Sequence, residues 1–509
     1  MRICILTKAD TLSWTQHYVD AFRQRAEIIT VGPGYDAKQI EDWDLGHLAH
    51  TLVPNDIEVD LEAGIDLREV LPDGWDPDLL VTIASGGVSL QVSIDTLPCP
   101  KAFITIDTWQ SISDYVECQL YDFVFAAQRA SVEYLSAVGG MNVFWLPLGC
   151  NPDAHYPVEV PRDHDVAFAG NVILPVHQHR NDLLLQLERS FSLHIASRVF
   201  RDELCQAMGR GKLAFNHSAV NEVNMRVFEA MAMGRPLVTN RSADLNGLSD
   251  LFADGEHTIM YDTADDLVQK VRYYLDHEDE REGIARAGYR LATTQHRYLD
   301  RVDALLAVVR DYVPGVGDGA DHTLDPCADY VPFGAKKVVD VGLKLGPHVT
   351  ALQRRGATET VGIGNTGGEV DVSNYMRVVS ATDRDAWSKE AAVIVLDSTD
   401  LFGANCLDAI DRAYEVLGKG GTLIVRLTAR DFSKSSGIAN LNQLEAQFAM
   451  HGFHVTGCNV SDAASASVIV RARKRTRLLA EIVQESFALL PHVDQDGLAR
   501  WAAAYGPHY

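Results

Sequence analysis

One stretch limits the fold more than any other. Lys212-Leu213-Ala214-Phe215-Asn216 is a short apolar run that leaves on a polar residue, and Leu237-Val238-Thr239 is β-prone again. Between them, Asn224 to Met233 contains no Gly or Pro and is rich in Ala, Met and Glu, which favour helix. Gly234 and then Pro236 end it in the usual order. The pattern predicts an α/β unit whose helix begins at the carboxyl end of a strand. Open parallel sheets bind their ligands at that edge.

Glu222, Arg226 and Glu229 are spaced four and three apart and can share one helical face. Met225, Phe228 and Ala232 then form the opposite, core-facing stripe. A helix amino end favours anions, and Arg226 beside it adds a planar fork of donors suited to phosphate. Glu229, one turn on, can accept from vicinal hydroxyls such as those of a ribose. Spacing alone fits an exposed salt-bridge pair on an ordinary helix equally well.

The run Asn224-Met225-Arg226-Val227-Phe228-Glu229-Ala230-Met231-Ala232-Met233-Gly234-Arg235-Pro236 resembles the donor-binding helix of retaining GT-B glycosyltransferases, in particular the CgeB-like group within glycosyl transferases group 1. That group's pattern is Asn-x-Arg-x-Phe-Glu-Ala-x-Ala-x-Gly. Better-known relatives carry two glutamates eight apart, whereas here Asn221 lies eight before Glu229 and Glu222 seven before. The resemblance implies an α/β fold of GT-B type, two Rossmann-like domains facing a cleft, and transfer of a sugar from a nucleotide donor.

At 509 residues the chain exceeds one core, and two to four domains are expected. A net charge of −25 argues against sequence-independent nucleic-acid binding and against an anionic membrane surface. No apolar run approaches a membrane span, and Met1–Thr7 reads as a first strand, too short in apolar residues for a signal peptide. Eight cysteines without a Cys-x-x-Cys pair suggest reduced thiols and a cytoplasmic location. His177 and His179 flank Gln178 with no ligand set around them, and no paired-aspartate metal motif stands out.

Up to about residue 155, strand candidates alternate with helical stretches: Arg2–Leu6, Ile28–Val31, Leu79–Ile83, Ala102–Ile106, Phe123–Ala126 and Val143–Leu146. Such alternation predicts a helix-covered parallel sheet. Leu146-Pro147-Leu148-Gly149-Cys150-Asn151-Pro152 resembles the segment that leads out of the first domain of this group, which sets the hinge near residues 147–160. Asp107, at a strand's carboxyl end, and the Ser85-Gly86-Gly87 turn are acceptor-side candidates, or simply turn residues. A second domain, 156–312, opens with the strand Asp165–Ala169 and Gly170; by the resemblance, Gly170 and Arg180 line the donor diphosphate. Its helical run with His296, Tyr298 and Arg301 resembles closing helices that pack back onto the first domain.

Residues 313–335 have linker composition. Beyond them, Asp340-Val341-Gly342-Leu343-Lys344-Leu345-Gly346 resembles the first motif of class I methyltransferases, and 336–475 reads as a third Rossmann-like domain of methyltransferase type. Lys344 replaces the middle glycine, and Gly364 replaces the acidic residue expected to hold the ribose of S-adenosylmethionine. Both departures fall on the cofactor pocket, so the domain reads as degenerate, kept for packing, assembly or acceptor docking. A tail, 476–509, places Leu479, Ile482, Val483 and Leu490 at helical spacing and is expected to dock on a domain or a second subunit.

The reading is a retaining, metal-independent glycosyltransferase that uses a UDP-, GDP- or dTDP-sugar. Arg180, Arg226 and the helix start near Asn224 stabilise the diphosphate, Asn224 contacts the diphosphate or the sugar, Glu229 holds the ribose, and Asp107 is on the acceptor side. The acceptor is a protein, a glycan or a small molecule. Two rivals stand beside it: a bifunctional glycosyltransferase and methyltransferase, and a non-catalytic sugar-nucleotide-binding scaffold.

Overall fold

The computed structural model describes residues 1–9, 14–35, 37–42, 46–59, 66–84, 94, 97–108, 111–170, 177–218, 220–314, 316–317, 330–341, 345, 348–363, 377–379, 390–396, 406–428, 441–462, 467–477, 481–482 and 485. Ser85-Gly86-Gly87, Gly342, Lys344, Gly346 and Gly364, singled out above, lie outside them, as do Leu479, Val483 and Leu490 of the tail.

The first lobe is built on β1 (Arg2–Leu6), β2 (Glu27–Gly32), β3 (Ile57–Glu58), β4 (Leu79–Ile83), β5 (Lys101–Thr105), β6 (Phe123–Ala126) and β7 (Val143–Trp145). They form one parallel sheet in the order β3-β2-β1-β4-β5-β6-β7. Strands β4, β5 and β6 are buried along their whole length, which explains why they read as continuous apolar runs rather than alternating ones. The two-residue β3 is too short to leave a periodic signal.

The second lobe holds β8 (His164–Ala169), β9 (Leu193–Ala196), β10 (Gly211–Phe215), β11 (Leu237–Asn240) and β12 (Ile259–Tyr261), again parallel, in the order β12-β11-β10-β8-β9. The order reverses beside β8. Chain leaving β8 goes out to β9 and returns to β10 on β8's other side, which opens a crevice between the carboxyl ends of β8 and β10. Gly170 follows β8 and Asn216 follows β10, so both sit at that crevice.

The last helix of this lobe, Tyr298–Tyr312, leaves it to pack on the first-lobe helix Trp14–Arg23. Tyr18 and Tyr298 meet edge to face at 4.9 Å, and Arg25 pairs with Asp303 at 2.6 Å. The chain therefore crosses between lobes twice, side by side. The Cys150 N–H donates to the His296 carbonyl at 2.9 Å, the Tyr298 N–H returns to the Cys150 carbonyl at 3.0 Å, and Arg301 Nε donates to the Pro147 carbonyl at 2.8 Å. Gly149 makes the crossing possible: a Cβ there would stand 2.8 Å from the His296 carbonyl oxygen and 2.9 Å from the Tyr298 nitrogen.

A third sheet follows, with β13 (Lys337–Val341), β14 (Glu359–Ile363), β15 (Arg377–Val379), β16 (Ala391–Leu396), β17 (Leu417–Thr428), β18 (Phe453–Asp462) and β19 (Ser467–Lys474) in the order β15-β14-β13-β16-β17-β19-β18. All pairings are parallel except those of β19, which runs antiparallel to β17 and β18. This third unit is bound to the first lobe. Arg473, 1% exposed, donates to the carbonyls of Gln119 and Tyr121 in the first lobe and of Gly420 in its own sheet. Linker composition does not mean a loose tether: Phe333 is buried, its N–H donates to Asp122 at 3.1 Å, and Arg355 lies 3.9 Å over its ring. Ile482 is fully buried in the first-lobe cluster that includes Leu80, Phe103 and Val124.

Candidate functional site

A cavity of about 330 Å³ opens between the first two lobes. Its second-lobe wall includes Phe168–Gly170 at the carboxyl end of β8, Arg180, Asn216 behind β10, and Glu222 with Asn224–Arg226 and Glu229. Its first-lobe wall comes from Trp14, Gln16 and His17 and from Ile106-Asp107 behind β5, and the crossing segment adds Leu148, Ala154 and His155. Asp107, Gly170, Arg180, Asn224, Arg226 and Glu229, all singled out from sequence, line this one space.

The helix spans Met225–Ala232 with Asn224 as its extended N-cap, and Phe228 and Ala232 pack into the core. Glu222 lies before the helix, so it does not share a helical face with Arg226 and Glu229. The left-handed Asn221 (φ 58°) turns the chain there, and the Glu222 N–H donates to Ser218 Oγ at 2.7 Å. Glu222 still reaches the cavity. Met225, expected in the core stripe, is only half-buried and lines the cavity as well.

Asn224 does not cap the helix with its side chain. Its amide nitrogen donates to Asn216 Oδ1 at 3.3 Å, and its Oδ1 is buried without a hydrogen-bond partner among the described residues. Arg226 sits one turn before Glu229, with Nη1 2.8 Å from Glu229 Oε2. Glu229 is 4% exposed, and its other oxygen lies 3.3 Å from His155 Nε2. Burial works to raise the Glu229 carboxyl, but the Arg226 guanidinium and His155 outweigh it and hold the group down at about 2. Arg180 is buried, donates from Nε to the His217 carbonyl at 2.9 Å and lies 5.9 Å over the Phe168 ring. Burial lowers its pKa, Arg226 adds to that, and Glu222 opposes it.

On the opposite wall, burial and then the neighbouring Asp114 push Asp107 up to about 6. Asp114 is held by Thr105 and by Ser111 Oγ at 2.6 Å, so it stays near Asp107 as a fixed neighbour.

The residues that sequence did not single out are His17 and His155. Asn151, in the crossing segment, ties them together. Its amide Nδ2 lies 3.1 Å from His17 Nδ1, and its backbone N–H donates to His155 Nδ1 at 3.3 Å. The two imidazole rings stand edge to face at 5.1 Å. Burial, then His155, push the His17 ring down to about 3. Neither histidine belongs to a spaced motif, and the only sequence signal near either was the hinge expected at 147–160.

Among the described residues no group of three or more His, Cys, Asp or Glu is clustered as metal ligands, and no helix is long and apolar enough to cross a membrane. Cys4, Cys99, Cys118, Cys150, Cys205 and Cys458 are free thiols.

Two facing Rossmann-like lobes, a returning terminal helix and a cavity between carboxyl strand edges are the GT-B arrangement, here with a third sheet domain attached. Residues 162–307 match the family model described as glycosyl transferase-like, which covers most of the second lobe. Among solved structures, the HepE protein of Anabaena in complex with UDP and glucose is similar over 60% of this chain and 99% of its own, at 14% identity and a TM-score of 0.42. Sucrose-phosphate synthase from Thermosynechococcus elongatus aligns over 61% of this chain and 98% of its own, at 13% identity and a TM-score of 0.44. A glycosyltransferase from Rickettsia africae aligns over 61% and 97%, at 10% identity and a TM-score of 0.41. No curated protein matches the chain by sequence.

Proposed function

We propose that the chain transfers a sugar from a UDP-, GDP- or dTDP-linked donor to an acceptor hydroxyl, with retention at the anomeric carbon and without a metal ion. The observation that carries this is the convergence of Arg180, Arg226 and the amino end of the helix Met225–Ala232 on one cavity between the lobes. A departing diphosphate needs positive charge aimed at it before it leaves, and two guanidiniums with a helix start supply that charge. The buried, unpartnered Asn224 Oδ1 and the Arg226 Nη1, close to Glu229 yet making no hydrogen bond, are polar atoms that a donor would satisfy.

Glu229 holds Arg226 in place and contacts the nucleotide ribose. Each of its oxygens faces one protein partner, and an ionised carboxylate has about four lone-pair sites, which leaves room for ribose hydroxyls. In this mechanism the acceptor hydroxyl approaches from the side the diphosphate leaves, and a diphosphate oxygen takes its proton. Asp107 stands on the acceptor wall. Membership of the CgeB-like group, a cytoplasmic location and the domain limits 1–155, 156–312, 313–335, 336–475 and 476–509 belong to the same reading. So does the methyltransferase-type origin of the third domain, which the antiparallel β18–β19 hairpin at the sheet edge supports. That domain, or the tail, offers a docking surface for a protein or glycan acceptor or for a second copy of the chain.

A thermal-shift panel of nucleoside diphosphates and their sugar conjugates tests the reading. One base is expected to stabilise the protein, and silence across the panel would sink it. NMR of the product anomer then decides retention.

A further inference from the structure

The lobes also meet away from the crossing at Cys150. The first-lobe helix Arg129–Ala137 starts behind β6, and its amino end is hydrogen-bonded to the second lobe around loop 221–224, which carries Glu222 and Asn224 into the cavity. Gln128 Oε1 accepts from the Val223 N–H at 3.0 Å, and Asn246 Oδ1 accepts from the Ala130 N–H at 3.1 Å. Asn246 Nδ2 then donates to the Asn221 carbonyl at 2.7 Å, which ties this seam to the same loop. Gly247 permits the approach: it is left-handed (φ 90°), and a Cβ there would stand 2.6 Å from the Trp145 ring. The two lobes have in effect exchanged caps. Gln128 is the N-cap of its helix, yet its side chain makes no capping bond. A residue at that place usually turns its side chain back to the second or third helical N–H. Here the second helical N–H, that of Ala130, is satisfied by Asn246 of the other lobe, and the Gln128 side chain goes to Val223 instead. Gln128 is 4% exposed, and its Nε2 is buried with no hydrogen-bond partner among the described residues. A buried donor left unpaired is unfavourable, and the bond to Val223 is what offsets it.

We propose that Gln128 is a positioning residue for sugar transfer: from the opposite lobe it sets the backbone of loop 221–224, and through it the placing of Glu222 and Asn224 beside the donor. The inference rests on the function proposed above and names a residue outside the cavity on which that function depends. The loop needs such a hold. Asn221 is left-handed at φ 58°, a conformation that side chains other than glycine adopt uncommonly, and the helix begins only after Asn224. Ser218 holds the Glu222 N–H from within the second lobe, whereas the Val223 N–H and the Asn221 carbonyl are held at the seam. The groups that suit a diphosphate are held differently. Arg226 is braced by Glu229 and Arg180 by the His217 carbonyl, all within the second lobe. Asn224, one residue after Val223, presents a buried Oδ1 without a partner among the described residues. That atom can only accept, so it suits a sugar hydroxyl and not an ionised phosphate oxygen. Gln128 therefore acts on the sugar end of the donor and leaves the grip on the nucleoside diphosphate alone.

Hydrogen exchange on the full-length protein reads the hold directly and needs no ligand. Gln128→Met keeps the length of the side chain and removes the acceptor. Exchange in peptides covering 221–224 is expected to rise about tenfold with β10 unchanged, and unaltered exchange would overturn the proposal. Turnover reads the consequence, with UDP-, GDP- and dTDP-glucose as donors and water as acceptor. For the donor that the wild type hydrolyses, kcat of the variant is expected to fall about tenfold, while affinity for the matching nucleoside diphosphate, by titration calorimetry, stays within about twofold. Gln128→Glu, which keeps an oxygen for the Val223 N–H, is expected to restore most of the rate. Asn246→Ala, which frees the Asn221 carbonyl at the other end of the seam, should act in the same direction and serves if the methionine variant does not fold. Equal loss of rate and of nucleoside diphosphate affinity, or no rescue by Gln128→Glu, would overturn the proposal while leaving the function reading intact. Wild-type protein that binds none of UDP, GDP and dTDP would remove both.

Discussion

The second-lobe wall of the cleft presents Arg180, Arg226 and Glu229, charged groups braced against one another, whereas the first-lobe wall presents Trp14, His17 and Asp107, an aromatic face, a neutral ring and one carboxyl group held up near 6. The braced wall suits a ligand whose charge is fixed, such as a diphosphate. The other suits hydroxyls, where direction matters more than charge. The difference also shows in how each wall is held. Arg226 and Glu229 are neighbours on one helix, while His17 is oriented from the hinge by Asn151. Moving the lobes therefore changes the setting of the first wall more than that of Arg226 and Glu229.

Substitutions can break or sharpen that contrast. Arg226→Ala should lower the rate of sugar-nucleotide hydrolysis or transfer about 10² to 10³-fold, the usual loss of one preorganised charge donor; wild-type turnover would take Arg226 out of the site.

Glu229 comes next. Its carboxyl sits at about 2 against an ordinary 4.5, so between those values the unfolded chain holds more protons. The stabilisation is complete above about pH 4.5 and is lost as pH falls toward 2, and it amounts to about 3 kcal/mol. Glu229→Gln should remove that acid limb from a denaturation-versus-pH series, and an unchanged limb would mean the carboxylate is not held by Arg226.

Gly149→Ala should cost about 1–3 kcal/mol by forcing a Cβ into the second crossing strand, read as a lowered denaturant midpoint. A neutral result would show that the two crossings can part.

Asp107→Asn is the smallest effect and has the opposite sign. With the folded pKa at about 6 against 3.8, the folded chain holds more protons between those values, so stability falls as pH rises through them. The variant should gain about 1 kcal/mol above pH 6 and nothing below about 4, discounted because the group is partly exposed and paired with Asp114. Equal melting curves at both pH values would show that Asp107 carries no such cost.

The parallel-sheet lobes were legible because strands such as β4 and β6 are short, almost wholly apolar runs that alternate with helical stretches. The Asn224–Glu229 group was legible because one helix turn brings its members together, whatever the rest of the chain does. His17 and His155 were not, since they meet only when the hinge places residues more than a hundred positions apart side by side. The position of Glu222 was misread because a left-handed Asn221 carries no mark in a spacing pattern. The buried ends of the linker were hidden for a related reason: Gly and Asp fit a tether and a packed turn alike, and only Asp122, more than two hundred residues away, decides between them.

Arg473 carries a practical consequence for anyone shortening the chain. Cutting after residue 335 would strip the Gln119 and Tyr121 carbonyls of their guanidinium donor and uncover apolar surface around Ile482's former seat. The two-lobed portion is thus no free-standing module. A fragment of the first two lobes alone is expected to be less stable than the full chain, read as a lower melting temperature.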